Sequence, residues 1–468
     1  FKMKYFLISL YIGISLCVKG KSDLIKYIHE DSKVRMMSSV QFLSSDELSG
    51  RLPGTDGANL AIEYIQNAFE QSNLRPLFKN GFKQSFSIPR PVEILFKTNY
   101  LILGNDSLNV GKEFQVSPFS STKEIHENTV YVKNGINCSE FDDFQSIGFN
   151  GLKNQLAIVK LRVSKKRKEK AGKEAQIQKR LENIINYGAQ DIIFLSRGGK
   201  NKLIGSKSPV FRNLKTASYP INVYSINSNK WSRKIRKSKD PITIKTKVSK
   251  RSSEGYNVIG MFDVGATHSV LIGAHYDHLG KGEFLENKKG KEEVYNGADD
   301  NASGVSIMLE VLHQLLLNPE MINYNLIFAA FSGEEDGLIG SRHFIKNCPM
   351  DPQLISHMIN LDMVGRLNLN DSLTVYATSS SSQWDEVLNN DSRVELNIKN
   401  IPSIFPRSDH ASFIEAGIPS IMLHTGIHKD YHTPNDDFQK IDGDGLTRIT
   451  KFILHTLQNL NRFSDSRP

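Results

Sequence analysis

From Gly255 onward, short apolar runs alternate with stretches of helical spacing, and no other feature of the chain constrains the fold as much. Candidate strands are Ser269 to Ala274, Asn325 to Phe331, His357 to Leu361, Leu373 to Ala377 and Ser420 to Leu423. Helices are expected near 303 to 317, 337 to 347, 409 to 416 and 444 to 461. Strand and helix in alternation predict an α/β fold whose sheet carries helices on both faces. Most polar clusters of this region fall where a strand ends, and open α/β sheets place their ligand crevice beyond those ends.

The chain has 468 residues, too many for one compact core, so two domains and a leader are expected. Lys2 and Lys4 flank Met3, and an apolar stretch from Tyr5 to Val18 follows. That stretch is too short to span a bilayer but suits a secretory signal over residues 1–20, with cleavage after Gly20 and export. Cys17 offers lipid anchoring as an alternative, which the bulky Leu16 opposes. No later run could span a membrane, so no stable membrane insertion is expected. From Lys21 to Pro91 the chain reads as two helices around the segment Ser44 to Thr55, the second starting near Thr55, burying Ala61, Ile65, Ala68 and Phe69 and ending before Pro76. Residues 100–245 differ in texture, with strand-like pieces at Leu156 to Leu161, Asp191 to Leu195 and Tyr219 to Tyr224 and a basic helix between them. They read as an inserted domain that divides the main one into residues 21–99 and 246–468. Beyond the leader only Cys138 and Cys348 remain, so disulfides do not organise the fold, although one bridge is open to them.

A formal net charge of +9 raises the question of nucleic acid. Much of the excess lies between Lys160 and Arg180, where no aromatic residue interleaves to stack bases. That stretch reads as a solvated, largely helical face, and no nucleic-acid partner is expected.

Five clusters carry chemistry: His275-Tyr-Asp277, Asp299-Asp300, Glu334-Glu335, Asp362 and Tyr431-His432. Asp299 and Asp300 lie between small residues just before the apolar run Val305 to Leu315, a buried helix whose dipole favours negative charge at its mouth. A helix cap is the plainer reading of that pair. Glu334 and Glu335 follow the apolar run Leu326 to Phe331 and a Ser-Gly turn, which argues against plain surface glutamates. Adjacent buried carboxylates repel unless cations neutralise them, and a lone charge at Asp362 is similarly costly. Histidine and carboxylates without cysteine suit a zinc site open to water. Asp277 is placed to orient His275 by holding its second ring nitrogen.

The chain resembles the dinuclear zinc exopeptidases that include secreted bacterial aminopeptidases and glutamate carboxypeptidase. The matching segments are Gly-Ala-His275-Tyr-Asp277, Gly-Ala-Asp-Asp300-Asn-Ala-Ser-Gly, Ser-Gly-Glu334-Glu335-Asp-Gly-Leu-Ile-Gly-Ser, Asn-Leu-Asp362-Met, Ser-Asp409-His410-Ala-Ser-Phe and Tyr431-His432-Thr-Pro. Ser44 to Thr55 also looks like the family's N-terminal segment. The resemblance implies a mixed, mostly parallel central sheet and two Zn2+ per chain. One zinc would sit on His275 and Asp362 and the other on Glu335 and His432, with Asp300 shared. It further implies Glu334 as general base, Tyr431 as an aid in polarising the substrate carbonyl, and a cis peptide after the bridging acid. Residues 100–245 look like the protease-associated domain of larger members, by position and texture. The charged loop Lys281 to Val294 is longer than the family's shortest versions.

The implied activity is removal of N-terminal residues from peptides by a water activated by two metals, with apolar first residues expected from Phe405, Phe413 and Ile427. Two alternatives stand beside it. Glutaminyl cyclases share the fold and a Gly-Ser-Arg-His segment like residues 340–343, and receptor-like relatives keep the fold and only bind partners. The intact Asp-x-x-Ser-Gly and Ser-Gly-Glu-Glu segments favour the peptidase. His428 and His432 have the spacing of helical zinc proteases, but Gly426 and Pro434 bracket them and no His-Glu-x-x-His occurs. His278, His410 and His424 lie near the motifs and are not expected to be ligands.

Overall fold

A computed structural model describes residues 30–463 apart from 95–97, 112, 118–119, 149, 197–220, 284–292, 389–394 and 405–406. The expected leader with Cys17, Tyr219, Phe405 and most of the Lys281 to Val294 loop lie outside the described residues.

The N-terminal part forms helices α1 (Glu30–Leu43) and α2 (Asp56–Gln71) and strand β1 (Lys83–Ile94). Thr55 caps α2 by accepting the Ala58 N–H at 3.4 Å. One face of α2 buries Ala61, Ile62, Ile65 and Phe69, whereas Ala68 is only half-buried. Residues 83–91 lie beyond the expected end of the second helix, where no element was expected, and form a strand. Gln84, Phe86, Ile88 and Arg90 are buried while the residues between them are exposed, a period of two. Pro89 is tolerated because β1 pairs along one edge only.

The middle segment holds strands β2 (Phe114–Val116), β3 (Thr129–Tyr131), β4 (Leu156–Lys160), β5 (Asp191–Ser196) and β6 (Asn222–Asn227). They form a five-stranded sheet in the order β2–β6–β5–β4–β3, parallel except for β2. A four-stranded antiparallel sheet of Tyr100–Leu103, Asp106–Asn109, Lys123–Glu127 and Ile242–Thr246 shares a core with it through Leu101, Phe114, Ile158, Tyr224 and Ile244. The basic stretch spans helices α3 (Lys165–Ala171) and α4 (Ile177–Asn186), and α5 (Asn229–Lys237) follows β6. This stretch is not solvated throughout. Arg180 is buried, and its guanidinium donates to the carbonyl oxygens of Asn134, Lys160 and Leu161, because a buried cation needs acceptors.

The C-terminal part holds β7 (Val248–Phe262), β8 (Ser269–His275), α6 (Gly304–Leu317), β9 (Asn325–Phe331), α7 (Ile339–Lys346), β10 (Ile355–Leu361), β11 (Leu373–Tyr376), β12 (Ile398–Ile401), α8 (His410–Glu415), β13 (Ser420–His424) and α9 (Gly443–Leu460). The strands run in the order β7–β9–β8–β10–β13–β11–β12, with Arg75–Pro76 beyond β7 and β1 also paired to β7. The sheet is mixed and mostly parallel: β8 is parallel to β9 and β10, β10 to β13, and β11 to β12. Every residue of β8 and β9 is buried. Val270, Ile272 and Ala274 face the core that holds α6, and Leu271 faces the opposite core with Phe344 of α7 and Phe413 of α8. Helices therefore cover both faces.

The chain leaves β8 for β9 on one side, then returns to β10 on the other. That reversal opens a crevice at the carboxyl end of β8, where such sheets hold ligands. α6 is buried on nearly every side, and its one buried acid, Glu310, takes a two-pronged salt bridge from Arg35 of α1 at 2.7 and 2.8 Å. Cys138 and Cys348 are unpaired, and no helix among the described residues is long and apolar enough to cross a membrane.

Candidate active site and metal centre

Loops from the ends of four strands converge on this crevice. His275 is the last residue of β8 and pairs in register with Phe331 of β9, which brings Glu334 and Glu335 beside it three and four residues later. Leu361 of β10 pairs with Leu423 of β13, so Asp362 emerges next to the loop that carries His428, Tyr431 and His432. Asp300 lies in an irregular turn just before α6, and the Asp300–Asn301 peptide is cis.

The two carboxylate oxygens of Asp300 face different partners. Oδ1 lies 3.3 Å from His275 Nε2, which is itself 3.6 Å from Asp362 Oδ1. Oδ2 lies 3.1 Å from His432 Nε2, which is 3.2 Å from Glu335 Oε1. Spacings near 3 Å between ligand atoms are what one small cation at about 2.0–2.2 Å from each would impose. His275, Asp300 and Asp362 form one cation-sized group, and Asp300 and Glu335 form a second with His278, whose Nδ1 is 2.8 Å from Glu335 Oε1. His275 Nε2, Glu335 Oε1 and both ring nitrogens of His278 are buried without a hydrogen-bond partner in the structure. Buried polar atoms left this way are costly, and divalent cations would satisfy them. The donor set fits two such ions.

Electrostatics separate the adjacent glutamates. Desolvation raises Glu334 well above the usual carboxylate range; His275 opposes this and Glu335, Asp362 and Asp409 reinforce it. Desolvation also works against Glu335, yet His432 and His278 bring it down to about 2. Asp277 is lifted to about 7, by burial above all. Acid and base roles are assigned where two environments push like groups apart.

Asp277 holds His275 by a different atom from the one expected. The His275 Nδ1–H donates to the Asp277 backbone carbonyl at 3.1 Å, while the nearer carboxylate oxygen is 3.8 Å away. That carboxylate instead accepts the Glu334 N–H at 3.3 Å. Asp299 points away from the cluster; it accepts the Gly365 N–H at 2.6 Å and faces His428 Nε2 at 3.0 Å, so it is no helix cap. Tyr431 is 37% exposed and stacks on the His432 ring at 3.8 Å, at the rim of the site beside exposed Ile427. Phe413 is fully buried against Phe331 and Phe344 and cannot line a substrate pocket, contrary to expectation.

The sequence of strands, loops and acids in this region matches a known profile over residues 257–457, that of peptidase family M28. Residues 257–457 are thus similar to that family. Curated relatives include a probable leucine aminopeptidase of Trichophyton verrucosum, 25% identical over 40% of this chain and 52% of the relative. Aminopeptidase YwaD of Bacillus subtilis is 30% identical over 39% of each chain. The chain spans about half the length of the first of these relatives. Among solved structures, an aminopeptidase from Aneurinibacillus sp. strain AM-1 superposes with a TM-score of 0.56, at 22% identity over 93% of this chain and 94% of its own. BSAP, a zinc aminopeptidase from Bacillus subtilis, does so at 0.55, with 19% identity over 91% and 94%. These two share the fold.

Sequence reasoning passed over two residues that the C-terminal part brings to its centre. His278 was set aside as a ligand, yet it is fully buried against Glu335 and stacks its ring on Gly297. A Cβ at Gly297 would lie 2.2 Å from the Asp300 carbonyl and 2.6 Å from the His278 ring, so only glycine fits there. The His-Tyr-Asp-His order was the available signal. Arg51 was the other omission. Its buried guanidinium donates to the carbonyl oxygens of Leu43, Tyr276, Asn296 and Gly297, tying α1 to the loops that carry His275 and Asp300. Its signal was the Ser-Gly-Arg of the segment between the first two helices. Burial lowers Arg51 only to about 10, so it stays charged at neutral pH beside the acids.

Lysine at position 51 cannot reach four acceptors at once. Arg51→Lys is therefore expected to weaken divalent-metal affinity by about 10- to 100-fold, as supporting residues of metal sites do. Competition with a fluorescent chelator measures this. Unchanged affinity in a folded variant would show that the loops hold without it.

Proposed function

We propose that this chain is a zinc-dependent aminopeptidase that hydrolyses N-terminal residues from peptides and works with two Zn2+ per chain. One observation carries the reading: Asp300 turns its two oxygens toward two separate histidine–carboxylate groups. His275 and Asp362 would hold one ion, Glu335 and His432 the other, and Asp300 both. Bound there, the ions would supply Lewis acidity to a substrate carbonyl and acidity to water.

The chain's own groups do the rest. Glu334 takes a proton from the attacking water as its oxygen bonds to the scissile carbonyl carbon. The same carboxyl then gives that proton to the departing amine as the C–N bond breaks. Asp277 fixes the peptide N–H of this base and the ring of His275, so one residue sets both orientations. Tyr431 is placed at the rim to donate its hydroxyl to the carbonyl oxygen. Unliganded carboxylate oxygens of the cluster suit a positive α-amino group, which favours cleavage at the amino end. Residues 100–245 serve as a protease-associated-like insert in this reading, and the leader over residues 1–20 directs export.

The test compares a peptide with a free amino end and its acetylated twin. Cleavage of the free peptide alone, one residue at a time and lost on chelation, is expected. Internal cuts in the acetylated peptide would overturn the assignment. One ion per chain, with N-terminal glutamine converted to its cyclic form, would move the chain to the cyclases.

A further inference from the structure

We propose that the middle segment carries a second ligand site, independent of the peptidase centre: a cationic pocket that binds a compact phosphorylated small molecule. The pocket has a volume of about 590 Å³ and opens at the carboxyl ends of β4 and β5, between the start of α3 and the side of α5. Lys160, Arg162, Lys165, Arg233 and Arg236 line it, and no acidic side chain does. Crevices beyond parallel strand ends are where α/β units hold ligands.

The pairing of charges in this segment is selective. Neighbouring cations on the same helices have acids of their own: Arg167 with Asp143 at 2.8 Å, Lys170 with Glu140 at 2.8 Å, and Lys234 with Asp106. Among the described residues, Arg162, Arg233 and Arg236 have no acid within 4.0 Å, and Lys165 has only the exposed Glu169 at 3.9 Å. Helix α5 sorts its faces accordingly. Trp231 and Ile235 are buried in the core, while Asn229, Ser232, Arg233 and Arg236 form the opposite stripe that walls the pocket. The first turn of α5 adds its positive dipole end, and the Ser228 side chain makes no capping bond to that turn. Five like charges around one cavity repel, and a multiply charged anion relieves that repulsion.

Phosphate suits the pocket because guanidinium forks match its oxygens two at a time and one compact group carries a charge of about −1.5 to −2, more than a carboxylate brings. A nucleic acid is disfavoured: the one aromatic ring of α5, Trp231, is turned into the core and cannot stack a base. Among the described residues Leu195 is the only apolar one of the lining, which disfavours a membrane surface.

Inorganic tripolyphosphate is the probe, titrated calorimetrically into the full chain at low and at physiological salt. One molecule per chain is expected to bind, more weakly as salt rises. Arg233→Gln is expected to weaken binding about 10-fold, and Arg162→Gln with Arg233→Gln about 100-fold, as charge-assisted bonds are lost. Both side chains are exposed, so melting curves matching the wild type are expected, and peptidase turnover should not change. No binding, or equal binding by the double variant, would overturn the proposal. Citrate binding as tightly as tripolyphosphate would overturn the choice of phosphate. Oligonucleotides that bind more tightly with length, where tripolyphosphate does not bind, would replace it with nucleic acid.

Discussion

Glu334→Gln is expected to lower kcat by about 100- to 10,000-fold while metal content and KM stay near wild type. The substitution keeps the shape and polarity of the side chain and removes only its ability to carry a proton. Among the described residues Glu334 makes no close contact with a histidine ring, whereas Glu335 Oε1 lies 3.2 Å from His432 Nε2 and 2.8 Å from His278 Nδ1. Glu335→Gln removes the same charge from nearly the same place, yet its effect should differ in kind. Affinity for one ion should fall, and activity should partly return with excess metal. Elemental analysis beside kcat separates the two variants. A Glu334→Gln protein that is folded but has lost metal, or turns over normally, would reverse the roles.

Asp300→Ala should strip the centre more thoroughly than any other single change. Each oxygen of Asp300 belongs to a different group, so one substitution removes a donor from both. Metal content should fall from about two ions per chain to less than one, and activity by more than about 100-fold. Asp362→Ala touches one group only and should leave the other ion bound. Loss of a single ion in Asp300→Ala would show that the acid does not bridge. The fold should survive, because the backbone N–H groups of Asp299 and Asp300 are held by Asp436, at 2.9 and 3.0 Å, rather than by the Asp300 side chain.

The central strands of the C-terminal sheet were legible because burial on both faces leaves continuous apolar runs: Asn325–Phe331 was readable end to end, and Ser269–His275 to within one residue. The acids of the candidate metal centre stood out for a related reason. Carboxylates close to such runs, before α6 at Asp300 and after strands at Glu334, Glu335 and Asp362, are costly to bury unless a cation meets them. β1 was not legible because its alternation is carried partly by Gln84 and Arg90, polar residues that are buried only because Asn257 and Asp336 receive them. Phe413 shows the opposite error, since proximity to a motif in sequence does not say which way a helix turns its side chain.

Local sequence thus determined which segments would be strand or helix and which acids demanded compensation, since periodicity and the cost of buried charge are properties of short stretches. Tertiary structure alone decided the rest. Asp277 accepts the Glu334 N–H, 57 residues on, only because β8 and β9 lie in register. Arg51 reaches Asn296 and Gly297 across 245 and 246 residues of sequence. Lys160, Arg162 and Lys165 share a pocket with Arg233 and Arg236 only because α5 packs beside β5. Such contacts join groups far apart in the chain, and no local pattern encodes a distance that only the packed sheet creates.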